Sequence, residues 1–137
     1  MMAKKKLYKY YQPNDKDLKD KFGDCVIRAL TKVLDKTWLE TFDMVHPYER
    51  EEQCNLTGFT LDMYKRTYKQ LGLEYHGIKV EKGSKRPTVE SFTKEHPKGS
   101  YILRVAGHHV AAVNGNYYDT WDCGNKCLYG YFELVKW

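Results

Sequence analysis

The chain has few of the features that would place it in a specialised structural class. Its four cysteines, at positions 25, 54, 123 and 127, do not make a disulfide framework, and free thiols in a cytoplasmic protein are expected. No apolar run approaches the roughly 20 residues of a membrane-spanning helix. The start, Met1-Met2-Ala3-Lys4-Lys5-Lys6, has the charge of a signal-peptide n-region. Leu7-Tyr8-Lys9-Tyr10-Tyr11-Gln12 places no apolar core behind it, so no secretion signal is read. Internal repeats, low-complexity stretches and domain boundaries are also missing. A single domain over residues 1–137 is expected, with 1–20 as a loosely ordered N-terminal segment. No nucleic-acid fold signature accompanies the lysines interleaved with Tyr8, Tyr10 and Tyr11, and nucleic acid is not the expected partner. The oligomeric state is left open.

What is present describes an ordinary globular protein. Hydrophobic residues make up 42% and aromatics 15%, including 12 tyrosines, which is enough apolar surface to build a core. The net charge of +5 is mild, and from Asp15 to Lys21 acids and bases alternate as on a solvated face. Thr37 can cap a short helix carrying Trp38, Leu39, Phe42 and Val45, ended by His46-Pro47. Thr60 can cap another through Leu71, closed by Gly72. A strand over Glu74–Val80, a loop over Lys82–Pro87, a short helix from Thr88 to Phe92 and a last strand from Tyr129 to Val135 complete the outline. Helices first and a β-meander second predict an α+β domain, its N-terminal helices packed on a C-terminal antiparallel sheet.

Two segments carry chemistry. Gly23-Asp24-Cys25-Val26-Ile27-Arg28-Ala29-Leu30 reads as a turn, an N-cap Asp24 and a helix with apolar side chains at 26, 27, 29, 30, 33 and 34. Cys25 then lies in the first turn, where unpaired N–H groups and the positive end of the macrodipole favour a thiolate. Far downstream, Tyr101–Val105 reads as a strand ended by Gly107, and a second strand runs from His108 to Val113. Asn114-Gly115 signals a two-residue type I′ hairpin, returning through Asn116-Tyr117-Tyr118-Asp119-Thr120-Trp121. With that turn, Val113 faces Asn116, and His108, Val110, Ala112, Tyr117, Asp119 and Trp121 share one sheet face. His109, Ala111, Tyr118, Thr120 and Asp122 share the other. His108 and Asp119 become diagonal neighbours, so the carboxylate can orient the imidazole. A three-residue turn would change the pairing, and Asp122 is the fallback for Asp119.

A cysteine heading a helix, a His-x-Val-x-x-Val strand and a polar residue on the next strand resemble the papain-like cysteine peptidases. Gly107-His108-His109-Val110-Ala111-Ala112-Val113 is similar to the segment around their catalytic histidine, which places that role at His108 rather than His109. Gly23–Leu30 and Tyr117–Asp122 are also similar to runs in small papain-like and bacteriocin-processing-peptidase-like proteins of phages and Gram-positive bacteria. The similarity spans most of residues 20 to 135. It implies a papain-like domain that cleaves a peptide or isopeptide amide, or transfers its acyl group, with no cofactor. Cys25 would be nucleophile, His108 general base and acid, and Asp119 the orienting group.

One position departs from the family. A glutamine usually precedes the cysteine and helps to bind the oxyanion, and its counterpart by spacing is Lys19, a cation without the geometry of an amide donor. Gln12 and Asn14 lie further upstream. The alternative implied is an inactive binding protein on the same fold, a phage protein acting on a host factor. Zinc is weighed at Cys123 and Cys127, whose spacing suits a ligand pair, but a second pair is lacking and no metal is expected. His46, His76 and His96 have no assigned partner.

Overall fold

The first helix explains why the molecule is built around its N-terminal third. In the computed structural model, which describes residues 6–14 and 25–135, α1 (Cys25–Val33) is buried along most of its circumference. Val26, Ile27, Ala29, Leu30 and Val33 form its apolar stripe, and its polar residues are paired. The Thr31 hydroxyl donates to the Ile27 carbonyl at 2.7 Å, and Arg28 reaches a carboxylate 91 residues away. Leu30 is fully enclosed, and truncating such a side chain to alanine costs roughly 2–5 kcal/mol. Asp24, expected as the N-cap, lies outside the described residues, as do Lys19 and the mixed-charge run Asp15–Lys21.

The remaining elements are β1 (Tyr8–Tyr10), α2 (Trp38–Glu52), a 3₁₀ turn at Leu56–Gly58, α3 (Leu61–Gln70) and β2 (Leu73–Gly77). They are followed by α4 (Val89–Glu95), β3 (Ser100–Val105), β4 (His108–Val113), β5 (Asn116–Asp119) and β6 (Gly130–Leu134). The α+β class is as expected. Thr37, Thr60 and Thr88 each cap a helix by accepting the N–H three residues on, and Gly72, at φ 93°, follows α3.

Three expectations are corrected. The helix from Trp38 does not stop at His46-Pro47 but continues to Glu52, with Pro47 inside it. Proline there gives up one N–H bond, while buried Trp38, Thr41 and Val45 hold the helix upstream and Gln53, in the left-handed region, caps it downstream. The sheet is not a purely antiparallel meander. Its order is β1-β5-β4-β3-β6-β2, and β1 runs parallel to β5. Residues 6–14 are accordingly not loose. Tyr8 packs on Tyr117 and Tyr11 on Tyr118, and Lys32 lies 4.1 Å from the Tyr118 ring centre. Three residues of Tyr-Lys-Tyr carry too little pattern to be read as a strand. Their partners supply the rest.

The sheet separates two apolar layers. α1, α2 and α3 cover Ile102, Ala111 and Phe132 on one face, and α4 covers Leu103, Val110, Ala112 and Tyr117 on the other. The β4–β5 hairpin has the expected register, with Val113 opposite Asn116 and Ala112 opposite Tyr117. Asn114 and Gly115 have φ of 49° and 86°, the pair of positive values a type I′ turn requires. At the opposite end of β4, Gly107 (φ 63°) turns the chain from β3 so that His108 opens the strand. The start of β4, the end of β5 and the start of α1 therefore meet at one edge.

Candidate active site

Asp119 is the centre of that edge. It is 1% exposed, and its carboxylate accepts from four donors. Oδ1 takes Arg28 Nη2 at 2.9 Å and the Thr120 N–H at 2.8 Å. Oδ2 takes His108 Nε2 and, at 3.4 Å, the Cys123 thiol. Two carboxylate oxygens offer about four lone-pair sites, so all are engaged. The main chain is held as well, since the Asp119 carbonyl accepts from the Tyr8 hydroxyl at 3.1 Å and the Tyr11 N–H at 2.9 Å. Burial favours the neutral acid, but the His108 hydrogen bond and charge, the Thr120 N–H and Arg28 outweigh it and hold Asp119 below the usual carboxylate range.

His108 stands between that carboxylate and Cys25. Burial disfavours its charged form, yet hydrogen bonds to Asp119, Cys123 and Cys25 raise its pKa from 6.5 to about 11. Asp119 holds the ring through Nε2. Trp121 lies beside the ring, with centroids 5.4 Å apart. For Cys25, burial raises the thiol pKa, while the His108 side chain, the His109 backbone N–H and the charges of His108 and Arg28 lower it further, with a net decrease. Cys123 shifts the other way, chiefly because burial disfavours its thiolate. One imidazolium thus contacts two thiols whose surroundings push them apart, Cys25 towards thiolate and Cys123 towards thiol.

His109 has a different role. Its ring points to the opposite sheet face and is buried among Tyr64, Tyr68 and Phe132, with Nδ1 3.0 Å from the Tyr68 hydroxyl. Burial, reinforced by the charges of His108 and Arg104, lowers its pKa to about 3. It is a neutral core histidine that contributes only its backbone N–H to the thiol.

The structure brings Cys25, His108 and Asp119 together, and leaves Asp122 apart. Asp122 lies beyond β5, so strand alternation no longer sets its direction. Its carboxylate accepts from the Tyr117 hydroxyl at 2.5 Å and the Gly124 N–H at 3.0 Å, not on the His109 face where the pattern placed it. Sequence reasoning missed Arg28 and Cys123 as members of the cluster. Arg28 could have been suspected as a charge inside an otherwise apolar helix, since buried arginines require a partner. His46, His76 and His96 are engaged elsewhere, with Glu49, Glu133 and the Phe92 carbonyl.

The cysteine pair weighed for zinc is not brought together as a metal site. Cys123 is buried and Cys127 exposed. Among the described residues, the one group with metal-ligating geometry is His108, Asp119 and Cys123, whose ligand atoms lie within 4.8 Å of one another. Hydrogen bonds already join these atoms, with His108 Nε2 and the Cys123 thiol both reaching Asp119 Oδ2.

Cys25 and His108 open onto a cleft of about 480 Å³, lined also by Val26, Tyr64, Arg104 and His109. Cys25, at the head of α1, forms part of its wall. No family model, no curated protein and no solved structure matches this chain. Among the described residues, no helix is long and apolar enough to cross a membrane.

Proposed function

We propose that the protein is a thiol-dependent acyl-transfer enzyme, a cysteine peptidase in its simplest form, with a papain-like arrangement of helix and sheet. The observation that carries the reading is that Cys25 and His108 line one cleft and Asp119 holds His108, with the thiol pKa lowered and the imidazole pKa raised. The Cys25 thiolate attacks an amide carbonyl carbon, and the carbonyl electrons move onto oxygen. The unpaired N–H groups that a helix start provides favour that oxyanion. His108 passes its proton to the leaving nitrogen as the C–N bond breaks, giving a thioester and a free amine. Attack on carbon removes the thiolate charge beside His108, which makes the imidazolium a stronger acid at the step that needs one. His108 then takes a proton from water or an acceptor amine, and the new acyl bond releases Cys25. Asp119 fixes the ring and keeps it charged.

The test is trapping with a peptidyl electrophile that mimics an acyl group, followed by mass spectrometry. A single adduct on Cys25, lost in Cys25→Ala, is expected. A biological effect that survives Cys25→Ala would instead favour a binding protein.

A further inference from the structure

The cleft contains a charged group that the acyl-transfer step does not use. Arg104 stands opposite His109 in the β3–β4 ladder and lines the same cavity as Cys25 and His108. It is half-buried, with its guanidinium carbon 6.0 Å from the ring centre of Tyr129. Arg86 lies over the same ring at 4.7 Å and is anchored by the Leu128 carbonyl at 3.0 Å. Among the described residues, no carboxylate lines the cleft and none pairs with Arg104. The contrast with Arg28, committed to Asp119, and Arg66, committed to Glu52, is direct. The remaining wall mixes the apolar side chains of Val26, Phe59 and Leu61 with the polar Thr57 and Tyr64. A planar guanidinium in such a setting is shaped to take a carboxylate through two parallel hydrogen bonds. His108 as an imidazolium and the start of α1 add positive potential at the same mouth.

We propose that this cleft selects substrates bearing a carboxylate close to the reacting acyl group, an acidic peptide side chain held by Arg104. The assignment rests on the acyl-transfer reading of Cys25 and adds the substrate class. Arg104 binds the anion, and Tyr129 limits the positions the guanidinium can take. The hydrogen bonds to the guanidinium are charge-assisted, so a neutral amide in place of the carboxylate is bound less well.

The experiment compares two peptidyl vinyl sulfones that differ only by Glu against Gln, placed in turn at each residue before the electrophile. Second-order rate constants for adduct formation on Cys25 are read by mass spectrometry for the wild type, Arg104→Gln and Arg104→Lys. The Glu/Gln rate ratio is the quantity of interest, because a general change in thiol reactivity cancels from it. At one position the wild type should prefer Glu by roughly 10- to 100-fold, the range for a charged hydrogen bond. Arg104→Gln should bring the ratio close to one, and Arg104→Lys should leave an intermediate value. Equal rates in the wild type, or a Glu preference that survives Arg104→Gln, would overturn the proposal while leaving the nucleophile in place. If neither probe labels Cys25 while iodoacetamide does, the acyl-transfer reading and this proposal fail together.

Discussion

Arg28 and Asp119 form a buried ion pair at 2.9 Å, with 8% and 1% of their side chains exposed. It joins α1, one turn after Cys25, to the end of β5. The same carboxylate holds His108, so one contact fixes the helix and the imidazole relative to each other. Breaking a buried pair by removing one partner leaves an uncompensated charge. Arg28→Met is expected to lower stability by roughly 3 kcal/mol. Part of the Asp119 charge would still be answered by His108, which places the loss at the lower end of the usual range. Urea unfolding at neutral pH measures it, and an unchanged midpoint would mean that the pair contributes nothing.

The two carboxylates near the site should behave differently. Asp119→Asn removes the charge that holds His108 protonated, and so lowers the imidazole pKa and slows Cys25 alkylation near neutral pH. Asp122→Asn should leave thiol reactivity close to wild type, because that side chain serves Tyr117 and Gly124. Stability carries a second signature. In the wild type the raised His108 pKa contributes stability that is fully present below about pH 6.5 and is lost as pH rises through about 11. Asp119→Asn should flatten that alkaline decline, and unfolding measured from neutral to alkaline pH reads it.

His109 makes the opposite prediction, in acid. Its folded pKa of about 3 lies below its ordinary 6.5, so the unfolded chain binds the extra proton first. The stability contributed is present above about pH 6.5 and is lost as pH falls towards 3. The slope for one such group is at most about 1.4 kcal/mol per pH unit. His109→Phe should reduce the acid sensitivity at some cost to packing, because the Tyr68 hydroxyl loses its partner. Acid unfolding of the two proteins side by side measures the difference. Identical slopes would show that His109 is not buried in the neutral form.

These contrasts separate what the amino-acid sequence carries from what only the fold supplies. The hairpin was legible because Asn114-Gly115 demands two positive φ values, and strand alternation then determines which histidine joins Asp119. Cys25 was legible because the apolar period of α1 begins at its side. Arg28 was not, since helical periodicity ranks a charged position as outward and says nothing of a carboxylate 91 residues later. The length of α2 was hidden because proline is a strong local stop signal, and burial upstream with a cap at Gln53 overrides it. β1 was hidden because a three-residue edge strand is specified by its neighbour, Tyr117–Asp119, more than by its own pattern. Spacing tied Cys123 to Cys127, whereas the loop after β5 sends one inward to Asp119 and the other to solvent.

The central claim is that Cys25 is a thiolate sustained by His108, and rate-resolved alkylation across pH tests it most directly. With limiting iodoacetamide, Cys25 should be modified first, ahead of the exposed Cys127, and its rate should persist below the pH range of an ordinary thiol. His108→Ala removes the largest favourable contact, so the Cys25 profile should move to higher pH while Cys127 is unaffected. His109→Ala should move it little, because the backbone N–H that reaches the thiol is retained. Alkylation that begins at Cys127, Cys54 or Cys123, or a Cys25 profile that does not move in His108→Ala, would contradict the account.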